Sequence, residues 1–140
     1  MFTIAKQFGF SASHSLPNLQ PGHPCRRTHG HNYVVTIELQ STNLNADEFV
    51  VDFRDLSPLA DFIAKWFEHK HLNDAIGHLG WGIQPTCEAL AYHLFRWCHD
   101  RWPETSAIRV AESLSSWAEF RPPRTIEEAH RRWEEVQCTK

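Results

Sequence analysis

The sequence predicts an α+β domain in which helices cover one face of an antiparallel sheet. Two segments near the start alternate apolar and polar residues with the period of two that a half-buried strand shows. Two later segments repeat apolar residues at helical spacing, and a second pair of short alternating segments follows them. The resulting order, ββ-α-α-ββ, favours an antiparallel sheet over the parallel sheet of an alternating βα chain.

The first two predicted strands contain most of the alternating pattern. The first covers about residues 2–14, with Lys6 interrupting its apolar face and Gly9 predicting a bulge or bend. A loop rich in Pro, Gly and Asn follows over residues 15–28. The apolar face of the second strand is made by Tyr33, Val35, Ile37 and Leu39.

The middle of the chain begins with a turn and ends with a long loop. The turn STNLNADE leads into FVVDF, which is short and β-prone. A helix is predicted over about residues 54–68, because its apolar side chains lie on one face. The segment HKHLNDAIGHLGWGIQ is predicted to be a loop that ends at Pro85.

The last third of the chain predicts a second helix, a hairpin and a tail. Thr86 has a side chain suited to an N-cap, and the helix that it opens should end near Trp102, before a proline. Alternating segments over residues 107–113 and 116–121 predict a β-hairpin. A capping-box pattern with a following apolar stripe predicts a short helix in the tail, residues 122–140.

Composition narrows the classes of function. A chain of 140 residues predicts one domain, and 14 basic against 17 acidic residues argue against nucleic-acid binding by bulk charge. No apolar run approaches the ~18 residues that span a bilayer, so we expect no membrane partner. The first residues show no signal-peptide pattern, and the four cysteines form no CxxC pair. These features predict a cytoplasmic protein with reduced thiols.

Three histidines carry the strongest chemical signal. His14 shares the even face of the first strand, while His29 and His31 share the odd face of the second. If the two strands pair antiparallel, these faces coincide and the imidazoles converge, with Gly30 leaving room between two of them. Three neutral imidazoles with an open fourth position are typical of a catalytic zinc site. The pattern alone also allows ordinary surface or core histidines.

A cysteine precedes this histidine pair. Cys25 lies four residues before His29 and next to Arg26 and Arg27. A thiol beside a metal ion and cationic side chains becomes a better base or nucleophile. An ordinary loop cysteine remains the alternative interpretation.

Six segments, in this order, resemble the signature blocks of the 6-pyruvoyl-tetrahydropterin synthase superfamily. They are FSASHSLP, GHPCRRTHGHNYVV, VVDFRDL, EHKHLND, PTCEALA and VAESLSSWAEF. The resemblance implies a tetrahydropterin synthase domain over residues 1–121, followed by the helical tail. It also implies the tunnelling fold, in which four-stranded antiparallel sheets with two helices on one face close into a trimeric barrel. Closure removes exposed sheet edges, and two stacked trimers would form a homohexamer.

The spacing around the cysteine refines the resemblance. Three residues separate Cys25 from the HGH segment, whereas members that make 6-pyruvoyl-tetrahydropterin usually have a longer spacing. This resembles the 6-carboxy-5,6,7,8-tetrahydropterin synthase branch, which serves queuosine and other deazapurine pathways. The resemblance implies a zinc-dependent lyase that converts 7,8-dihydroneopterin triphosphate to 6-carboxy-5,6,7,8-tetrahydropterin, releasing acetaldehyde and triphosphate. The alternatives are a 6-pyruvoyl-tetrahydropterin synthase and a non-catalytic zinc- or pterin-binding module.

The resemblance also implies roles for the metal ligands and the proton-transferring residues. Cys25 matches the catalytic base of the family. His69 matches the histidine of an Asp-His pair, and Glu68 stands where the family usually has the aspartate. The residues that match the zinc ligands are His14, His29 and His31.

Three further residues are implied to bind the substrate. Glu112 matches the acid that anchors the pterin, whose adjacent N–H donors suit a carboxylate. Thr86 lies in a block that can line the pterin pocket, and Cys87 replaces the usual serine of that block. Arg27 is the favoured cation for the triphosphate because it lies beside Cys25, although a solvated surface cation is the alternative.

Overall fold

The computed structural model describes residues 1–123, so most of the predicted tail, from residue 124 on, lies outside the described residues. The strands are β1 (Phe2–His14), β2 (His29–Ser41), β3 (Thr105–Ala111) and β4 (Trp117–Phe120). The α-helices are α1 (Ser57–Trp66), α2 (Leu72–His78) and α3 (Cys87–His99). The four strands form one antiparallel sheet in the order β1-β2-β3-β4, which confirms the predicted fold class.

The pairing of β1 with β2 positions the histidines. The register runs without interruption to the pair His14 and His29, so of the bulge or bend predicted at Gly9, the bulge is wrong. The irregularity lies instead between β2 and β3, where the register shifts between Glu38 and Leu39. An uninterrupted ladder keeps the even face of β1 and the odd face of β2 on the same side along their full length.

One face of the sheet carries the core. The helices pack on that face, and the apolar face of β2 is almost completely buried. Lys6 interrupts this face near the start of β1, where its ammonium group donates a hydrogen bond of 2.8 Å to the Phe53 carbonyl. The buried side chains that β1 and β2 contribute are Phe10, Ala12, Tyr33, Val35, Ile37 and Leu39.

In the part of the chain that precedes α3, two segments differ from the predicted secondary structure. The segment FVVDF is not a strand, because the Asp52 carboxylate accepts the backbone N–H of Arg54 at 2.8 Å and starts a 3-10 turn, Phe53–Leu56. The predicted loop after residue 68 contains α2, which buries Leu72 and Ile76 on one face. A helix of seven residues is too short to give a clear periodic signal in sequence.

The α3 helix begins as predicted. The Thr86 hydroxyl accepts the backbone N–H of Ala89 at 3.2 Å, which confirms this residue as the N-cap. The helix ends at His99, three residues earlier than the predicted Trp102. Among the helices in residues 1–123, none has the length and apolarity needed to cross a membrane.

Candidate metal centre and flanking cavities

Three histidines converge where β1 ends and β2 begins. His14 and His29 are opposite each other in the ladder, and His31 lies two residues further along β2. Each offers one ring nitrogen, and these three atoms lie within 4.8 Å of one another. The structure therefore brings together the three residues that the sequence predicts as metal ligands, and this cluster could hold a metal ion.

Backbone carbonyls fix the orientation of two of these rings. The Nδ1 atom of His14 lies 2.8 Å from the Pro85 carbonyl oxygen, and Nδ1 of His29 lies 2.8 Å from that of Arg27. A carbonyl oxygen can only accept, so each Nδ1 carries the hydrogen and donates it. Both neutral rings then present an unprotonated Nε2, the arrangement that metal-binding histidines commonly adopt.

The Nε2 atoms of His14 and His29 face each other. They lie 2.9 Å apart, and in the neutral rings each carries a lone pair. A proton or a metal ion would relieve this repulsion. His14 is buried, and burial lowers the pKa of its imidazole, with the His29 and His31 rings acting in the same direction and the Pro85 hydrogen bond opposing them. Protonation of His14 is thus disfavoured, and three imidazole nitrogens are a donor set that fits a zinc ion.

An open cavity of about 500 Å³ includes one of the three histidines in its lining. His31 lines it together with His69, Lys70 and His71. One oxygen of Glu68, Oε1, lies 2.9 Å from Nε2 of His69. The structure therefore forms the predicted acid–histidine pair and places the histidine in the same cavity as a metal-ligand candidate.

The backbone around this pair is fixed by β1. The second carboxylate oxygen of Glu68 accepts the backbone N–H of Ser11 at 3.0 Å. The backbone N–H of His69 donates to the Ser11 carbonyl at 2.8 Å, and His69 itself has a φ of 55°. That left-handed conformation is uncommon for a residue other than glycine, and such strain is often found at functional sites.

A second cavity, of about 320 Å³, includes another of the three histidines in its lining. His14 lines it with Thr86, Cys87 and Glu112. The Glu112 carboxylate lies 3.9 Å from Nε2 of His31 and 3.5 Å from the Cys87 thiol. The two residues predicted to contact the pterin, Thr86 and Glu112, therefore share one cavity beside the histidine cluster.

The remaining two predicted site residues lie outside both cavities. Cys25 is half-buried in a 3-10 turn, Pro24–Arg26, and its carbonyl accepts the backbone N–H of Leu16 at 2.8 Å. The Arg27 side chain is exposed, while its carbonyl orients His29. Neither side chain lines the cavity of His69 or that of Glu112.

Several contacts at the site were not predicted. Asn73 pairs with both backbone groups of Ser15 at 2.9 Å, which fixes the chain just after His14. The Ser13 hydroxyl lies 3.0 Å from Nδ1 of His71. The segment HKHLND contains both His71 and Asn73. Its concentration of polar and imidazole side chains is the signal that could have identified them as site residues. The Pro85 carbonyl is a backbone group, and no residue type signals its role.

An α+β sheet protein with a three-histidine centre at a strand end is the class that the fold and site define. The sequence model for 6-pyruvoyl tetrahydropterin synthase matches residues 3–123. A 6-carboxy-5,6,7,8-tetrahydropterin synthase from Synechocystis sp. is 33% identical over 131 residues, covering 89% of this chain and 96% of the relative. Another protein of that name, from Haemophilus influenzae, is 27% identical and covers 86% and 99%.

A solved structure agrees with these sequence matches. The 6-pyruvoyl tetrahydropterin synthase of Caenorhabditis elegans superposes with a TM-score of 0.75 at 18% identity, covering 87% of this chain and 96% of that one. At this identity the likeness concerns the fold. The family match spans nearly all of the described chain, and the protein belongs to the 6-pyruvoyl tetrahydropterin synthase family.

Proposed function

We propose that this protein is a zinc-dependent lyase that converts 7,8-dihydroneopterin triphosphate to 6-carboxy-5,6,7,8-tetrahydropterin, acetaldehyde and triphosphate. The observation that carries the proposal is the pair of Nε2 atoms of His14 and His29, 2.9 Å apart with both Nδ1 atoms bonded to carbonyl oxygens. The names of the relatives give the product, 6-carboxy-5,6,7,8-tetrahydropterin, whereas the substrate and the released fragments are those that the sequence resemblance implies. A bound zinc ion would supply Lewis-acid chemistry, polarising hydroxyl and carbonyl oxygens of the substrate side chain.

Glu112 is the proposed anchor for the pterin ring. A pterin edge presents adjacent N–H donors, and a carboxylate can accept two of them side by side. Glu112 lies in the cavity that Thr86 and His14 also line, so a ring held by this carboxylate would have its side chain near the histidine cluster. This binding would orient the reacting side chain and limit its motion.

Two groups are proposed to move protons. Cys25 would abstract a proton from carbon beside the developing carbonyl. His69 would exchange a proton with the substrate while Glu68, 2.9 Å from its Nε2, holds the imidazole in orientation. Because Cys25 lines neither cavity in one chain, the proposal requires a second subunit to bring the thiol and the Glu68–His69 pair to one site.

The triphosphate requires cationic side chains. Four of them lie near the site in the sequence, and their contacts favour two. The Lys6 ammonium group donates to the Phe53 carbonyl, and the Arg26 guanidinium donates to the Leu19 carbonyl. Lys70 lines the larger cavity and the Arg27 side chain is exposed. We therefore assign the phosphate contacts to Lys70 and Arg27.

The proposed assembly is a homohexamer, formed by two trimers whose sheets close into barrels. The edge strands of the sheet, β1 and β4, are open in a single chain. Exposed aromatic side chains lie at both edges, including Phe2 on β1, Phe49 next to Phe2, and Trp117 on β4. Pairing of these edges would cover both the unpaired backbone and this apolar surface.

The proposed compartment is the cytoplasm, and the proposed pathway is that of queuosine or a related deazapurine. Among the described residues, the free thiols Cys25, Cys87 and Cys98 are consistent with a reducing environment. Both assignments depend on the proposed reaction, because its product would be the precursor that such a pathway consumes.

Incubation of the zinc-loaded protein with 7,8-dihydroneopterin triphosphate tests the proposal. We expect equal amounts of acetaldehyde and 6-carboxy-5,6,7,8-tetrahydropterin, with triphosphate released. Formation of 6-pyruvoyl-tetrahydropterin without acetaldehyde would instead assign the sister activity. Substrate binding without any product would leave a zinc- or pterin-binding module. Each of these two results would contradict the proposed lyase.

A further inference from the structure

The first residue of α3 contacts the proposed pterin anchor. The Sγ atom of Cys87 lies 3.5 Å from Oε2 of Glu112, within the range for a hydrogen bond from sulfur. Cys87 belongs to the capped first turn of α3, whereas Glu112 directly follows β3. The contact therefore connects a helix end to a strand end across the cavity that both residues line.

The thiol is in a state to donate. Cys87 is buried, and burial together with the nearby Glu112 carboxylate raises the pKa of the thiol to about 12. It is therefore protonated at neutral pH, and its S–H group faces a carboxylate oxygen, which can only accept when ionised.

Within residues 1–123, the hydrogen bond and the ion pair of the Glu112 carboxylate both involve the same oxygen. The Cys87 thiol and Nε2 of His31 both approach Oε2, at 3.5 and 3.9 Å. A donor bound to one oxygen limits rotation of the carboxylate, and because each oxygen has more than one lone pair, both oxygens can still accept the adjacent N–H groups of a pterin. The side chain of Glu112 is about one-third exposed, so a ligand in the cavity can reach it.

We propose that Cys87 is a positioning residue, whose S–H group orients the Glu112 carboxylate for the pterin ring. The inference rests on the proposed function, since it assumes that Glu112 binds a pterin. Cys87 acts through Glu112 and touches no reacting atom. It should therefore contribute equally to binding of the substrate and of the transition state, which changes KM and leaves kcat almost unchanged.

Steady-state kinetics of three variants tests this role. Cys87→Ala removes the donor, and we expect KM to rise roughly three- to ten-fold, the effect of losing one ordinary hydrogen bond. Cys87→Ser keeps a donor and should restore KM to within about two-fold of the original value. Cys98→Ser is the matched control, because Cys98 is a fully buried thiol on the same helix and lines neither cavity. An unchanged KM in Cys87→Ala would overturn the proposal.

A second measurement does not depend on turnover. The infrared S–H stretch of Cys87, isolated by subtracting the spectrum of Cys87→Ser, should lie at lower frequency than that of Cys98, because hydrogen bonding to a carboxylate weakens the S–H bond. Glu112→Gln should shift the Cys87 band to higher frequency. A Cys87 band that this change leaves in place would overturn the contact. If the lyase assay fails while this band shifts as expected, the proposed function is wrong but the positioning of Glu112 stands.

Discussion

The Nε2 atoms of His14 and His29 lie 2.9 Å apart, across the last residue pair of the β1–β2 ladder. Their Nδ1 atoms donate to the carbonyl oxygens of Pro85 and Arg27, so neither ring can turn its protonated nitrogen toward the other without losing a hydrogen bond. Each such bond contributes about 1 kcal/mol. With both Nδ1 atoms donating, the two Nε2 lone pairs face the same point, where a metal ion could bind both.

Replacement of Cys25 should separate catalysis from metal binding. In Cys25→Ala we expect turnover of 7,8-dihydroneopterin triphosphate to fall by about 10²–10⁴, the usual contribution of a positioned general base. Zinc content should stay unchanged, because Cys25 is not one of the three clustered ligands. Cys98→Ala, which truncates a buried thiol of α3, is the matched control. Loss of zinc in Cys25→Ala would instead make this thiol a ligand.

The length of the Glu68 side chain should matter. Its two oxygens contact the Ser11 N–H at 3.0 Å and Nε2 of His69 at 2.9 Å. An aspartate is shorter by one methylene group and cannot keep both contacts without a backbone shift. We expect Glu68→Asp to lower kcat by about 10- to 100-fold through misplacement of His69. The same change at Glu104 is the control, and equal kcat values in the two variants would contradict the role of the pair.

An ion pair on the opposite face of the sheet predicts a pH dependence of stability. The Arg121 guanidinium lies 2.7 Å from Glu38 and holds the pKa of that carboxyl below its ordinary value, with the Ser106 hydroxyl acting in the same direction and partial burial opposing them. Because the folded-state pKa is depressed, this stabilisation is complete above the unfolded-state pKa. It is lost as the pH falls through the folded-state pKa.

Urea unfolding at a fixed chain concentration measures this effect. Glu38→Gln should lower the free energy of unfolding at pH 7 by about 1 kcal/mol, the magnitude expected of a partly exposed pair. The difference between variant and original should shrink below pH 4.5, where the unfolded-state carboxyl takes up its proton. Asp61→Asn, on the exposed side of α1, is the control. A difference that stays constant with pH would contradict the assignment.

The sequence was sufficient to predict the sheet and the histidine cluster because both depend on a period of two. Because side chains alternate along a strand, His14 lies on the core-facing side of β1, and His29 and His31 lie on that of β2. Antiparallel pairing then brings the end of β1 next to the start of β2, so the three imidazoles meet. The 3-10 turn at residues 53–56 was missed because one carboxylate, that of Asp52, outweighs the β propensity of the preceding residues. The α2 helix was missed because seven residues carry little periodicity.

The remaining features of the site depend on tertiary contacts. The carbonyl groups of Pro85 and Arg27 orient the imidazoles, and backbone atoms carry no residue-type signal. Cys87 attracted attention in the sequence only as a replacement for serine. Its contact with Glu112 requires the end of β3 to meet the start of α3, which residue spacing cannot predict.

Zinc content of the purified protein tests the central claim most directly. Metal analysis should find one zinc ion per chain in the original protein and none in His31→Ala, whereas His99→Ala, at an exposed position of α3, should retain it. We expect His31→Ala to keep its folded hydrophobic core, because His31 is only half-buried. Full zinc occupancy in that variant, or an original protein that binds no zinc when it is supplied, would contradict the three-histidine centre.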